Sequence, residues 1–296
     1  MEHFGGSGAI LLGMPKSSAR MDVFNDSDWD LTNLFLCVRD RPLHLLKELD
    51  CLSIHSEAEF NHLKYMLNGH FVPSDFSADE LSVANECFGE EEFLELTRLL
   101  IGRAKLYDVK RAAAFYKLFH YSFSSTGKSY GIRKVSLRGV SDIIRRAADR
   151  LDGVAITNRD FALSIGVNDS PATLHYCDPP YYKAEDKYRS VFSKGDHIRL
   201  RDALRACEGY TVISYNFCPF ICELYSDFYI LRFVRNNPLS KKAGSRYEEA
   251  VITNFDPMPV IQSNTDQMGI FHEHEFGELT LIHCPEKGDK HEIESI

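Results

Sequence analysis

The fold of this chain is decided by the stretch Thr173-Leu174-His175-Tyr176-Cys177-Asp178-Pro179-Pro180-Tyr181. Its first five residues predict a short strand, and Asp178 follows at the carboxyl end, where ligands bind in open α/β sheets. The two prolines fix φ at adjacent positions and remove two backbone donors. This corner can hold an NH2 group between the Asp178 carboxylate and the Pro179 carbonyl while the Tyr181 ring stacks on it. The alternative interpretation is an Asp-Pro turn that only ends a strand.

The sequence around this corner alternates between strand and helix patterns. Further strands are predicted at 21–24, 154–157, 210–214, 228–233 and 249–253, the last two as an antiparallel pair. Helices are predicted at 31–38, from Pro42 onward, at 137–151, at 193–207 and at 217–225. Such alternation implies an α/β fold with a mostly parallel sheet and helices on both faces.

A glycine-rich turn, Phe4-Gly5-Gly6-Ser7-Gly8, precedes the first of these strands. Glycines let the backbone approach a ligand closely and make a tight turn into a helix. About 20 residues later Asp26 follows the strand at 21–24, which is the spacing expected for an acid that binds ribose hydroxyls. The two signals together favour a nucleotide-like ligand.

The charge of the chain is unevenly distributed. The net charge is -9, yet residues 101–150 contain twelve Lys and Arg against three acids, between acidic segments at 51–100 and 256–296. One basic segment between acidic flanks predicts a surface that meets phosphates, and the alternative is a solvated helix face. The predicted phosphate contacts are Lys110, Arg111, Lys117, Lys128, Arg133 and Lys134.

Composition places the chain among globular proteins of the cytoplasm. The 296 residues include eight cysteines but no C-x-x-C pair, so we expect reduced cysteines. We expect neither a signal peptide nor a transmembrane helix. We also expect no metal site, and interpret His272, His274, His283 and Cys284 as solvated side chains of a polar tail.

These motifs, in this order, resemble the Dam-like DNA adenine-N6 methyltransferases over residues 2–255. The resemblance implies a Rossmann-like sheet that uses S-adenosylmethionine, with a small helical DNA-recognition insert. It implies a catalytic domain at 1–55 and 120–256, a target-recognition insert at 56–119 and an acidic appendage at 257–296. The resemblance also implies an N-terminally short chain, because the family pattern has a Gly-Gly-Lys segment before the glycine turn.

The resemblance assigns roles to individual residues. The catalytic residues are Asp178, Pro179, Pro180 and Tyr181, and the cofactor-binding residues are Phe4, Gly5, Gly6, Gly8, Asn25, Asp26, Asp160 and Phe161. For Asp160, contact with the cofactor and a helix cap are equal alternatives. Tyr188 and Phe192 either line the site or belong to the core.

The expected reaction is methyl transfer from S-adenosylmethionine to the N6 amine of an adenine flipped out of double-stranded DNA. We expect a monomer, with a cognate restriction endonuclease as a candidate partner. The alternatives are an amino-methyltransferase acting on RNA adenine or cytosine N4, and a non-catalytic nucleic-acid-binding remnant.

Overall fold

A computed structural model describes residues 1–50, 56–68, 82–83, 85–87, 89–94, 108–122, 129–131, 137–183, 192–236, 246–261 and 279–285. The chain forms two compact units. We call residues 6–158 the helical unit, and residues 1–5 with 159–296 the sheet unit.

In the part of the chain that the structure describes, the helical unit includes six helices with defined bounds, further helical residues at 82–83, 85–87 and 90–94, and one pair of strands. The helices are α1 (Ala9–Gly13), α2 (Trp29–Asp40), α3 (Pro42–Asp50), α4 (Glu57–Leu67), α5 (Val109–His120) and α6 (Leu137–Leu151). The strands β1 (Val23–Asn25) and β2 (Ala155–Thr157) pair in parallel, with Phe24 opposite Ile156.

Local sequence explains where these helices begin and end. The Asp28 carboxylate caps α2 by accepting from the amides of Asp30 and Leu31. Ser56 and Glu59 form a capping box at the start of α4. Gly153 follows α6 at φ +81°, a conformation that favours glycine after a helix end.

Helix α5 is packed deep inside the helical unit. Its small residues Ala112 and Ala113 are buried in a core with Phe24 of β1 and Cys37 of α2. The segment 56–119, predicted as a recognition insert, therefore contributes at least this helix to the core of the unit.

Among its described residues, the sheet unit contains three longer helices, a single helical turn at 258–261 and five strands. The helices are α7 (Phe161–Asn168), α8 (Lys194–Arg205) and α9 (Pro219–Leu224). The strands are β3 (Leu174–Cys177), β4 (Tyr210–Asn216), β5 (Tyr229–Asn236), β6 (Arg246–Thr253) and β7 (Leu279–His283). The predicted capping box of Ser193 and Asp196 is present at α8.

The sheet is mixed rather than mostly parallel. Its order is β3-β4-β6-β5-β7, with β3 and β4 parallel and the pairs β4–β6, β5–β6 and β5–β7 antiparallel. The predicted antiparallel pair of β5 and β6 is confirmed. The prediction of a mostly parallel sheet is wrong for this unit, because β6 inserts between β4 and β5, and β7 adds a further antiparallel strand.

Both ends of the chain contribute to this sheet. Glu2 forms a parallel bridge with Tyr176 of β3, where the His3 amide donates to the Tyr176 carbonyl over 3.1 Å. At the other end, the segment 257–296, predicted as an appendage, supplies β7 to the sheet edge. Within the described residues, no helix is both long enough and apolar enough to cross a membrane.

Candidate active site

The Asp-Pro-Pro-Tyr corner lies directly after β3, as the sequence predicts. Asp178 is exposed, whereas Pro179 and Pro180 are buried. The exposed carboxylate is therefore attached to a rigid, packed turn.

Negative charge surrounds the preceding tyrosine of β3. The pKa of the Tyr176 phenol is raised, first by burial and then by Asp178, Glu2 and Glu249. Glu2 and Glu249 are themselves buried, with 6% and 8% of each residue exposed. This electronegative surrounding favours hydrogen-bond donors and developing positive charge.

The Tyr181 side chain is held by two neighbouring strands. Its Oη lies 3.1 Å from Ser214 Oγ of β4 and donates to Glu249 Oε1 of β6 over 3.4 Å. The ring itself is half-buried and lies 6.3 Å from the Tyr215 ring, centroid to centroid. Neither Ser214 nor Glu249 was predicted from the sequence to be a site residue. The acid of Glu249 directly before the apolar run at 250–252 is a pattern that could have indicated a buried polar contact.

The residues after Tyr181 are also fixed. The Tyr182 carbonyl accepts from Asn216 Nδ2 over 3.1 Å, and the Tyr182 ring stacks on Phe220 at 4.2 Å. Lys183 then adopts φ +62°, which is uncommon for a residue other than glycine. The corner therefore leaves the sheet through a constrained turn.

Phe4, Phe161 and Phe192, three candidate site residues from the sequence, form an aromatic cluster. Phe4 stacks on Phe161 at 5.4 Å and meets the edge of Phe192 at 5.8 Å. Phe161 and Phe192 are buried and Phe4 is half-buried. Tyr188 lies outside the described residues.

Asp160 caps helix α7 and forms an ion pair. Its carboxylate accepts from the Ala162 amide at 3.0 Å and from Arg199 Nη2 at 2.9 Å. The same guanidinium lies 4.8 Å above the Phe161 ring. Asp160 is thus the N-terminal cap of helix α7.

In the helical unit, the glycine turn is bonded to the loop after β1. The Gly6 amide donates to Asp26 Oδ2 over 2.9 Å, and the Asp28 amide donates to Asp26 Oδ1 over 2.8 Å. Gly6 and Gly8 both have positive φ, +49° and +67°. Burial raises the pKa of Asp26, and the two amides act in the opposite direction.

Asn25, unlike Asp26, belongs to strand β1 and is its last residue. Asn25 is fully buried, and its Oδ1 accepts from Thr157 Oγ1 over 2.8 Å. Its side chain ties β1 to β2 next to the loop of Asp26.

Two predicted phosphate contacts lie inside the protein. Arg111 is 8% exposed and bonds to Asp30, and Lys117 is 2% exposed and donates to the Glu48 carbonyl over 2.9 Å. This corrects the prediction for both residues, because each is buried against a protein partner. Lys110 is half-buried. Lys128, Arg133 and Lys134 lie outside the described residues.

A group of metal-ligand-type side chains, Asp169, His175 and Cys207, has its donor atoms within 4.8 Å of one another. The Asp169 carboxylate already accepts from His175 Nε2 at 3.0 Å and from the amides of Glu208 and Gly209. His3 Nε2 lies 2.8 Å from His175 Nδ1. These hydrogen bonds connect the N-terminal residues to β3 and to the segment that follows α8. The cluster therefore has a structural role in the sheet unit.

Comparison with known proteins identifies the family. No curated protein matches the chain. The family model of the D12 class N6 adenine-specific DNA methyltransferases matches residues 1–236. The match includes the glycine turn, Asp26 and the Asp-Pro-Pro-Tyr corner. The chain therefore belongs to the D12 class of N6 adenine-specific DNA methyltransferases.

Proposed function

We propose that the corner after β3 is where this methyltransferase holds its target amine. Asp178 accepts one N–H of the adenine N6 group and the Pro179 carbonyl accepts the other, while the Tyr181 ring stacks on the base. The observation that carries this proposal is an exposed Asp178 on a buried, rigid Pro179-Pro180 turn. A base inside a duplex is out of reach of such a corner, so the adenine must be flipped out.

The chemistry follows from these contacts. The N6 lone pair is conjugated with the ring, which makes the amine a poor nucleophile. Two acceptors hold the nitrogen closer to tetrahedral geometry and direct its lone pair at the methyl donor. The nitrogen becomes cationic as the new bond forms, and the Asp178 carboxylate that accepts its N–H stabilises that charge.

We propose S-adenosylmethionine as the cofactor, as in the family generally. When bound, it supplies an electrophilic methyl group. The glycine turn suits close approach of a ligand, since Gly6 and Gly8 have positive φ, a conformation that side chains other than hydrogen disfavour. The Asp26 carboxylate, oriented by the Gly6 amide, would bind ribose hydroxyls, with Asn25 holding the strand before it.

The other cofactor assignments belong to the sheet unit. We propose that the Phe4 and Phe161 rings, with Gly5 beside them, offer an apolar surface to the cofactor's adenine. Asp160 then acts mainly through the helix cap that places Phe161. Truncation of Phe161 to Ala should raise the dissociation constant for the cofactor.

Double-stranded DNA is the proposed substrate. We propose a Rossmann-like arrangement of the strands, with segment 56–119 contributing to target recognition. Lys110, Lys128, Arg133 and Lys134 would contact phosphates, which fix position but not sequence. We further propose a cytoplasmic monomer, with a cognate restriction endonuclease as a candidate partner.

The test is transfer of tritium from labelled S-adenosylmethionine to unmethylated duplex DNA, with RNA of the same sequence in competition. We expect label in DNA with the native protein and none with Asp178→Ala. Since Asp178 is exposed, this variant should remain folded. Equal incorporation by the two proteins, or preferential labelling of RNA, would contradict the proposal.

A further inference from the structure

The far end of the Tyr181 ring is hydrogen bonded within the sheet. A phenol has one proton to donate, and Glu249 Oε1 accepts it over 3.4 Å. The Ser214 hydroxyl, 3.1 Å away, can then donate to the Tyr181 oxygen. The partners in both of these hydrogen bonds are side chains on strands.

These strands form a rigid support. β4 and β6 are antiparallel neighbours, and Asn216 and Glu249 face each other in the register. Asn216 also donates to the Tyr182 carbonyl, so the same strand pair holds the residue that follows the corner. On the other side of the ring, the buried Pro180 fixes the backbone.

This arrangement fixes the direction in which the ring points. Pro180 holds the chain that leads into Tyr181, and the bonds at the hydroxyl hold the far end of the ring in place. A stacking ring that is already ordered loses less conformational entropy when the base arrives.

We propose that Glu249, assisted by Ser214, is a positioning residue that orients the Tyr181 ring for the flipped-out adenine. This inference rests on the proposed stacking role of Tyr181. Glu249 acts through the ring and has no contact with the reacting atoms. Its loss should slow methyl transfer while leaving the affinity for S-adenosylmethionine unchanged.

The experiment is a double-mutant cycle on the single-turnover rate of methyl transfer. The variants are Tyr181→Phe, Glu249→Met, which has no oxygen to accept the bond, and the combination of both, with a DNA duplex whose target adenine has been mapped from methylated DNA. Each single variant should be slower by about tenfold, the size expected for one hydrogen bond. The double variant should be no slower than Tyr181→Phe, because both changes remove the same bond.

Glu248→Met is the matched control. Glu248 is the adjacent acid on β6, and it is exposed and paired with Arg232. Its replacement should leave the rate unchanged. If Glu249→Met does not fold, Ser214→Ala takes its place in the same cycle with Tyr181→Phe.

Two results would overturn the inference: a native rate for Glu249→Met, or losses that multiply to about a hundredfold in the double variant. Multiplied losses would show that Glu249 acts independently of the ring. Failure of the proposed function can be told apart from failure of this inference, because the native protein itself would then form no N6-methyladenine.

Discussion

Replacement of Arg111 by methionine should destabilise the protein strongly. The Arg111 and Asp30 side chains are only 9% and 2% exposed, with Nε 2.5 Å from Oδ1. Arg111 Nη2 also donates to the Leu67 carbonyl over 2.9 Å, and the guanidinium lies 4.1 Å from the centroid of the Trp29 ring. The variant would leave the Asp30 carboxylate buried without this cation.

The expected magnitude follows from the burial of the pair. Removal of one partner of a buried ion pair costs about 3–5 kcal/mol, or two to four powers of ten in the unfolding equilibrium. The double variant Asp30→Asn, Arg111→Met should recover part of this loss, because no buried charge remains.

Urea unfolding followed by tryptophan fluorescence measures this effect directly. Trp29, beside Arg111, is the only tryptophan of the chain. Lys110→Met is the control, because Lys110 is the preceding residue of α5 and only half-buried. Its free energy of unfolding should change by about 0.5 kcal/mol or less.

DNA binding separates the structural role of Arg111 from a phosphate contact. Under conditions where Arg111→Met is folded, the salt dependence of its DNA affinity should match that of the native protein. Loss of one phosphate contact would lower the slope of log K against log salt by about one. A variant with native stability and a lower slope would refute the reasoning.

Three further predictions concern stability and are checked by urea unfolding. Burial and the neighbouring His175 lower the pKa of His3 from 6.5 to about 3, so His3 is neutral in the folded protein. Between pH 6.5 and about pH 3, His3 should therefore contribute a fall in the free energy of unfolding of about 1.4 kcal/mol per pH unit as the pH decreases, and His3→Gln should remove this contribution. Gly8→Ala should cost about 1–3 kcal/mol, because its φ is +67° and the new Cβ would lie 2.9 Å from ring carbons, whereas Gly13→Ala, with no atom within 4 Å, should cost much less. Ser193→Ala should cost about 1 kcal/mol through loss of the capping box of α8, and an unchanged midpoint would contradict that role.

Features governed by local chemistry could be predicted from the sequence. The caps at Ser193 and Asp160 and the helix that begins at Pro42 depend on residues a few positions apart. The strand that ends before Asp178 is equally local, because an apolar run meets two prolines. These features place the Asp-Pro-Pro-Tyr corner at the end of a strand.

Features that depend on distant partners could not be predicted in this way. The position of β6 between β4 and β5 is set by pairing between strands, and strand order leaves no local pattern. Arg111 illustrates the same difficulty for charge, because its partner Asp30 is 81 residues away. Charge counts show how many cations a segment has, but not which of them are buried.

If Asp178 holds the N6 amine of adenine for methylation, the identity of the methylated nucleoside will show it. Duplex DNA incubated with S-adenosylmethionine and the protein would be digested to nucleosides and analysed by mass spectrometry. We predict N6-methyladenine as the product of the native protein and a yield at least about 100-fold lower for Asp178→Ala. N4-methylcytosine as the product, or equal yields of N6-methyladenine from the two proteins, would contradict the claim.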